Sequence, residues 1–187
     1  MAYIRNTDQS YGILAQALHW LVALLVFAQL ALGLYAAELP LGIERLRLLS
    51  RHKSLGLALL ALALLRLAWR AAQSPPPLPA SMPRWERSAA LATHRLIYLL
   101  LVLAPLAGWL QASASGLSVN WFGLFQMPDL VPKSRALAEL FRLAHLVCVA
   151  LLAALVAGHV AAALRHALLL RDGVLHRILP WSPRARR

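Results

Sequence analysis

Two histidines near the C-terminal end, His145 and His159, stand fourteen residues apart in a stretch almost free of charge. At 3.6 residues per turn this is nearly four helical turns, so both rings leave one face, about 21 Å apart along the axis. One metal ion cannot span that gap, but two sites, one towards each face of a bilayer, can. Each site needs a second imidazole at matching depth, and His19 and His52 are in place to supply them. Paired imidazoles with nothing else beside them suit the axial positions of haem iron. Zinc or copper is the rival reading, but neither pair has a carboxylate or thiolate at hand, which is poor for both metals.

These histidines need elements that hold them at fixed depths. The chain has 187 residues, 60% of them hydrophobic and only 14% charged, and its mean hydropathy is +0.63. Soluble domains are nearer 45–50% apolar and about 25% charged, so the composition excludes a disordered chain and argues for a membrane protein. The charge is lopsided, with 19 Lys and Arg against 7 Asp and Glu. Those cations sit between long apolar runs rather than on a soluble basic face. Anionic lipid and membrane topology therefore explain them better than nucleic acid. Cys148 is the only cysteine, which permits no internal disulfide, no Cys-rich zinc or iron–sulfur site and no C-x-x-C-H haem attachment.

A span needs about 20 mostly apolar residues. Tyr11–Ala37 and Leu143–Leu164 are runs without Asp, Glu, Lys or Arg. A third run, Leu96–Pro128, is too long for one span, and its second half is polar and turn-rich. It reads as a helix over about 88–112 followed by a loop with a surface-lying Trp121–Phe125 stretch. The weakest span has an uncharged centre of only Ser54–Leu65, bounded by Arg51 and Lys53 at one end and by Arg66 and Arg70 at the other. A buried or interfacial helix is the competing reading, but such side chains can snorkel to the two interfaces. The expectation is an all-α, integral membrane, up-and-down four-helix bundle. It forms a single domain over 1–187, with helices near 11–37, 48–70, 88–112 and 138–168 and a basic cytoplasmic tail over 169–187. Ser74–Pro79 predicts a stiff extended linker. A cleavable signal ending near Tyr35-Ala36-Ala37 fits poorly, because the apolar run is too long and only Arg5 precedes it.

Placing the N-terminus inside puts twelve basic residues on inner segments (Arg184, Arg186 and Arg187 among them) and seven on outer ones. The positive-inside rule then favours cytoplasmic termini. Alternating helices put His19 and His159 near the inner face, and His52 and His145 near the outer. Small residues flank the candidate ligands, with Ala15 and Ala23 about His19, Gly56 after His52, Ala144 before His145 and Gly158 before His159. They would let a flat ring approach, or simply let helices pack. His94 and His166 lie on the inner side. They could bond haem propionates or bind and protonate a quinone head group, and His94 could replace His19 as a ligand. His176 reads as a solvated tail residue.

Order and spacing along nearly the whole chain resemble the bacterial cytochrome b561 family of four-helix di-haem membrane proteins. The residues that carry this are His19-Trp20, His52-Lys53-Ser54-Leu55-Gly56, Arg66-Leu67-Ala68-Trp69-Arg70, and His94-Arg95-Leu96-Ile97-Tyr98 with Pro105 and Gly108. Trp121-Phe122-Gly123 with Met127-Pro128 follows, then His145, His159 and His166, and finally Arg171-Asp172-Gly173-Val174-Leu175-His176-Arg177. The resemblance implies two haem b groups, held by His19 with His159 and by His52 with His145, in a bacterial inner membrane. It also implies a ubiquinone site on the inner side. His94 and His166 match positions that approach the quinone, and Arg84-Trp85-Glu86-Arg87-Ser88 matches the loop beside it. Members of this kind are linked to superoxide oxidation at the outer face. Arg45, Arg47, Arg51 and Lys53 could steer that anion towards the outer haem, with Arg51 and Lys53 the candidates for a catalytic role, or could merely anchor the interface. The competing function is a haem-b anchor subunit joining a dehydrogenase or hydrogenase partner to quinone, docked through the Ala114–Ala136 loop. The short chain and its four spans favour the first reading. A haem-free scaffold in which the histidines only pack is the third.

Overall fold

The computed structural model describes residues 4–180; Arg184, Arg186 and Arg187 of the basic tail lie outside the described residues. Four long helices follow one another: α1 (Ile13–Glu38), α2 (Ile43–Ala72), α3 (Arg84–Ala114) and α4 (Arg135–Arg165). All four are long and apolar enough to cross a membrane. A two-residue antiparallel ladder, β1 (Asn120–Trp121) with β2 (Phe125–Gln126), interrupts the loop before α4. The helices pack in sequence, α1 on α2, α2 on α3 and α3 on α4.

Each helix begins where local chemistry permits. Pro83 sets its own φ at −58° just before α3, and Glu86 puts a carboxylate in that helix's first turn, both of which favour a helix N-terminus. Arg84–Ser88 is therefore the opening turn of α3, not a loop beside it, which corrects the expected start near residue 88. Similarly α2 begins at Ile43 with Glu44 in its first turn, well before the expected residue 48. Ser134 caps α4, its side chain accepting from the Leu137 N–H at 3.4 Å.

The shared core is a middle layer. Val22, Val26, Leu59, Ala63, Leu100, Leu101 and Leu152 meet there, with Cys148 packed against them. In lipid such packing rests on close van der Waals fit more than on water exclusion. Large exposed apolar side chains such as Leu24, Phe27, Leu65, Leu99, Val147 and Leu151 cover the outside, as a bilayer-facing surface requires.

Both ends of the bundle are tied down by hydrogen bonds. At the end holding His19 and His159, the Trp20 indole donates to the Ile178 carbonyl at 3.0 Å, and the Tyr11 N–H donates to the Arg177 carbonyl at 3.0 Å. Asn6 donates to the Ser74 carbonyl at 3.1 Å, and Arg177 to the Pro77 carbonyl. The proline linker is extended, as its composition predicts, and is clamped between the two terminal segments. The start of the tail is thus docked on α1 rather than free, while His176 itself is exposed. At the other end Ser54 is 2% exposed. Its hydroxyl donates to the Asn120 carbonyl at 3.2 Å and accepts from the Phe122 N–H at 3.1 Å. The Trp121–Phe125 stretch is a hairpin fastened onto α2, with Phe122 at φ 51° and Gly123 at φ 78° turning the chain.

Candidate functional site

Two levels of imidazoles bracket the core layer. At one level His52 from α2 faces His145 from α4, ring centres 6.2 Å apart. At the other, His19 from α1 faces His159 from α4 at 6.4 Å, and His94 from α3 lies 5.2 Å from His159. A metal–imidazole bond is about 2.0–2.1 Å, so two imidazoles on opposite sides of one metal put their ring centres roughly 6.3 Å apart. The first two spacings suit such a pair, and the third is too short. The pairs also bridge α2 to α4 and α1 to α4, rather than helices that follow one another along the chain.

The His52–His145 pair is held in a form fit for ligation. His145 Nδ1 lies 2.8 Å from the Ala104 carbonyl. A carbonyl only accepts, so the ring proton sits on Nδ1 and the Nε2 lone pair is available. His52 has a buried Nδ1 without a hydrogen-bond partner among the described residues. Each ring is backed by a glycine of the neighbouring helix. A Cβ at Gly108 would lie 3.2 Å from His145 Nδ1, and one at Gly33 would lie 3.2 Å from His52 Cε1. Gly56 has another use than the expected one: a Cβ there would meet Gln29 Nε2 at 3.0 Å, and that amide donates to the His52 carbonyl at 2.8 Å. A Cβ at Gly158 would meet open space.

The His19–His159 pair has the spacing but a different neighbour. Arg66 Nη2 lies 2.8 Å from His19 Nδ1. A guanidinium only donates, which leaves the His19 proton on Nε2. Ligation through Nε2 requires Arg66 to leave Nδ1. No carboxylate pairs with Arg66 among the described residues, so it is available to an anion such as a haem propionate. Arg66 and Arg70 meanwhile lie over the Tyr98 ring, 5.3 and 5.7 Å from its centre.

Beyond the His19–His159 pair is a separate polar cluster. His166, 7% exposed, opens a single π-helical turn, His166–Leu170. Its Nε2 lies 3.2 Å from Glu86 Oε1, and its Nδ1 lies 2.5 Å from Asp172 Oδ2. Arg165 also binds Glu86 at 2.7 Å. Burial raises the Asp172 carboxyl, but the hydrogen bonds from His166 and from the Val174 N–H outweigh it and hold it below the usual carboxylate range. Asp172 is thus an anion at neutral pH, and its contribution is lost only as pH falls through that lowered value. Of Arg84–Ser88, only Glu86 turns into the bundle, while Arg84, Trp85, Arg87 and Ser88 are exposed. His94 belongs to the imidazole group of His19 and His159, and His166 to this cluster.

The four cations Arg45, Arg47, Arg51 and Lys53 divide into two pairs. Arg47 and Arg51, with Ser50, Ser54, Phe122 and Gly123, line an open cleft of about 420 Å³. Arg45 instead donates to the Leu39 carbonyl at 3.0 Å, and Lys53 to the Leu117 carbonyl at 3.0 Å. Spacing and residue type pointed to the histidines and to these cations. They gave no sign of Gly33, Gln29, the Ala104 carbonyl or Asp172 as supports, because which neighbour a side chain meets across a bundle has no local signature.

Four membrane-spanning helices with opposed imidazoles at two depths define a membrane cytochrome. A family model described as prokaryotic cytochrome b561 matches residues 10–181, and the chain belongs to that family, whose members carry haem b and transfer electrons. Cytochrome b561 homolog 2 of Escherichia coli (strain K12) is 33% identical over 180 residues, 95% of each chain. Cytochrome b561 homolog 1 of the same strain is 28% identical over 164 residues, 87% of this chain and 93% of the relative. A protein of Yersinia pestis named probable superoxide oxidase CybB is 28% identical over 172 residues, 92% of this chain and 97% of the relative. The protein is accordingly a multi-pass protein of the bacterial inner membrane.

Proposed function

We propose that this chain is a di-haem cytochrome carrying electrons between a periplasmic-side donor, with superoxide as the candidate, and ubiquinone on the cytoplasmic side, with both termini cytoplasmic. His52 and His145 hold the outer haem, and His19 and His159 the inner. The observation that carries this reading is the pair of ring spacings, 6.2 and 6.4 Å, at two levels of one bundle. Two haems bound there supply one-electron centres near each face, which no side chain here can provide.

The protein's own residues do the rest. The Ala104 carbonyl and Gly108 keep His145 in one tautomer and one orientation. The apolar layer of Val22, Val26, Leu59, Leu100, Leu101 and Leu152 keeps the region between the two levels dry. Arg47 and Arg51 draw a small anion into the cleft that abuts His52 in sequence, and Lys53 fastens the loop beside it. Two superoxide anions giving up one electron each leave two O2, and ubiquinone with two electrons and two protons leaves ubiquinol. The likeness to a relative named probable superoxide oxidase supports superoxide as donor.

The test uses proteoliposomes containing ubiquinone, with superoxide generated outside. Ubiquinol formation is expected, and Arg51→Glu is expected to slow it several-fold at low salt, the difference shrinking as ionic strength rises. Rapid quinone reduction after dithionite but none with superoxide would overturn superoxide as the donor. A salt-independent effect of Arg51→Glu, or no effect, would overturn the steering role.

A further inference from the structure

We infer that Asp172 is a positioning residue for quinone protonation, orienting and charging His166 so that the proton on its Nε2, shared with Glu86, is the one delivered. The inference rests on the proposed cytoplasmic-side quinone site and goes beyond it by assigning the path of the protons.

The geometry leaves little choice of hydrogen placement. Both ring nitrogens of His166 face carboxylate oxygens, Nδ1 at 2.5 Å from Asp172 and Nε2 at 3.2 Å from Glu86. Ionised carboxylates only accept, so both contacts are satisfied when the ring carries two protons. The ring is nearly enclosed, while the Glu86 and Asp172 side chains keep 15% and 20% of their surface exposed. The charged groups facing the ring are Asp172 beyond α4, Glu86 of α3, and Arg165 of α4, whose guanidinium is taken up by Glu86. The two carboxylates differ in strength of hold. The shorter bond, and the second one that Asp172 accepts from the Val174 N–H at 3.2 Å, fix the Nδ1–H in place. The longer Nε2 contact is the labile one. The arrangement has the logic of a carboxylate–histidine pair, in which the acid sets tautomer and orientation and does not itself take the proton.

Ubiquinone accepts two electrons from the protein's redox centres and two protons from this cluster. Each proton leaves the Nε2–H···Oε1 pair of His166 and Glu86. It is replaced from cytoplasmic water through the partly exposed Glu86. Nothing in the cluster is oxidised or reduced, and Asp172 stays an anion throughout.

Asp172→Asn tests this with the turn preserved, since an Asn oxygen still accepts from Val174 while the charge is gone. The haem-loaded protein is reduced with dithionite, freed of excess reductant and mixed with a short-chain ubiquinone, and haem reoxidation is followed by absorbance. The variant is expected to keep both haems and an unchanged reduced spectrum. Its reoxidation should slow about tenfold or more at neutral pH, with the pH–rate profile moved towards acid so that the rate recovers as pH is lowered. Asp172→Glu should restore most of the neutral-pH rate. A purely structural role would not produce recovery in acid. If Asp172→Asn does not accumulate, Asp172→Ser, whose hydroxyl can still accept from the Val174 N–H, carries the same test, and slower reoxidation at neutral pH with recovery in acid is expected. Wild-type reoxidation kinetics and pH profile in either variant would overturn the inference while leaving the quinone site standing. Failure of the wild-type protein to be reoxidised by ubiquinone would overturn the quinone site and the inference together.

Discussion

His145→Ala is expected to yield a protein with the outer haem missing and the inner one retained, the haem content falling from about two per chain to about one. In the proposed ligand set His145 would be one of only two side chains holding that haem, and no third His, Cys, Asp or Glu joins the pair among the described residues. The loss should stay local. His145 and His159 are about 21 Å apart along α4, and sites separated by more than about 10 Å with no shared partner behave independently. The core layer between the two levels is built from other side chains. His19→Ala should give the mirror result, leaving the outer haem. Haem quantification with low-temperature spectra of both variants separates the sites, because the surviving haem should retain a low-spin bis-histidine signature. Equal loss of both haems from either change would mean that the sites fold as one unit. Loss of no haem would remove the histidine from the ligand set.

A second change should remove the outer haem without altering any ligand. A Cβ on Gly108 would sit 3.2 Å from His145 Nδ1 and 3.3 Å from Cε1. A methyl group alone asks the ring to give by a few tenths of an ångström. Gly108→Val adds two branches on the side where Nδ1 bonds the Ala104 carbonyl, so the ring must swing off that bond. Supports one shell behind a metal ligand typically change affinity by about 10–100-fold, and a loss of that order in outer haem retention is expected. Gly33→Val should act on His52 in the same way, with its Cβ 3.2 Å from Cε1. Gly42→Ala is the control, since its added Cβ meets nothing closer than 4.0 Å. Full retention of both haems with wild-type spectra in Gly108→Val would show that the glycine does not set the ring's position.

The two-level arrangement was legible because it depends on quantities local to the chain. Helical rise fixes the separation of His145 and His159, and the up-and-down alternation of the helices fixes which of His19 and His52 shares each depth. The family resemblance, carried by motifs spread over the whole chain, pointed the same way. The opening of α3 was misjudged although Pro83 and Glu86 announced it, because the apolar run that marked the span begins only at Leu96. The docking of the tail had no such signal: Trp20 and Ile178 are 158 residues apart, and nothing in either segment alone specifies the bond. The same holds for Lys53, whose charge suggested steering but whose ammonium is tied to the Leu117 carbonyl. In a bundle apolar on nearly every face, periodicity does not say which neighbour a polar side chain will meet.

The most direct measurement is haem per chain, by pyridine haemochrome on the purified protein, with oxidised and dithionite-reduced spectra. Two b-type haems per chain with low-spin bands are expected from paired histidines at two depths. One haem per chain would contradict one of the two pairs, and a protein without haem from haem-replete cells would contradict both.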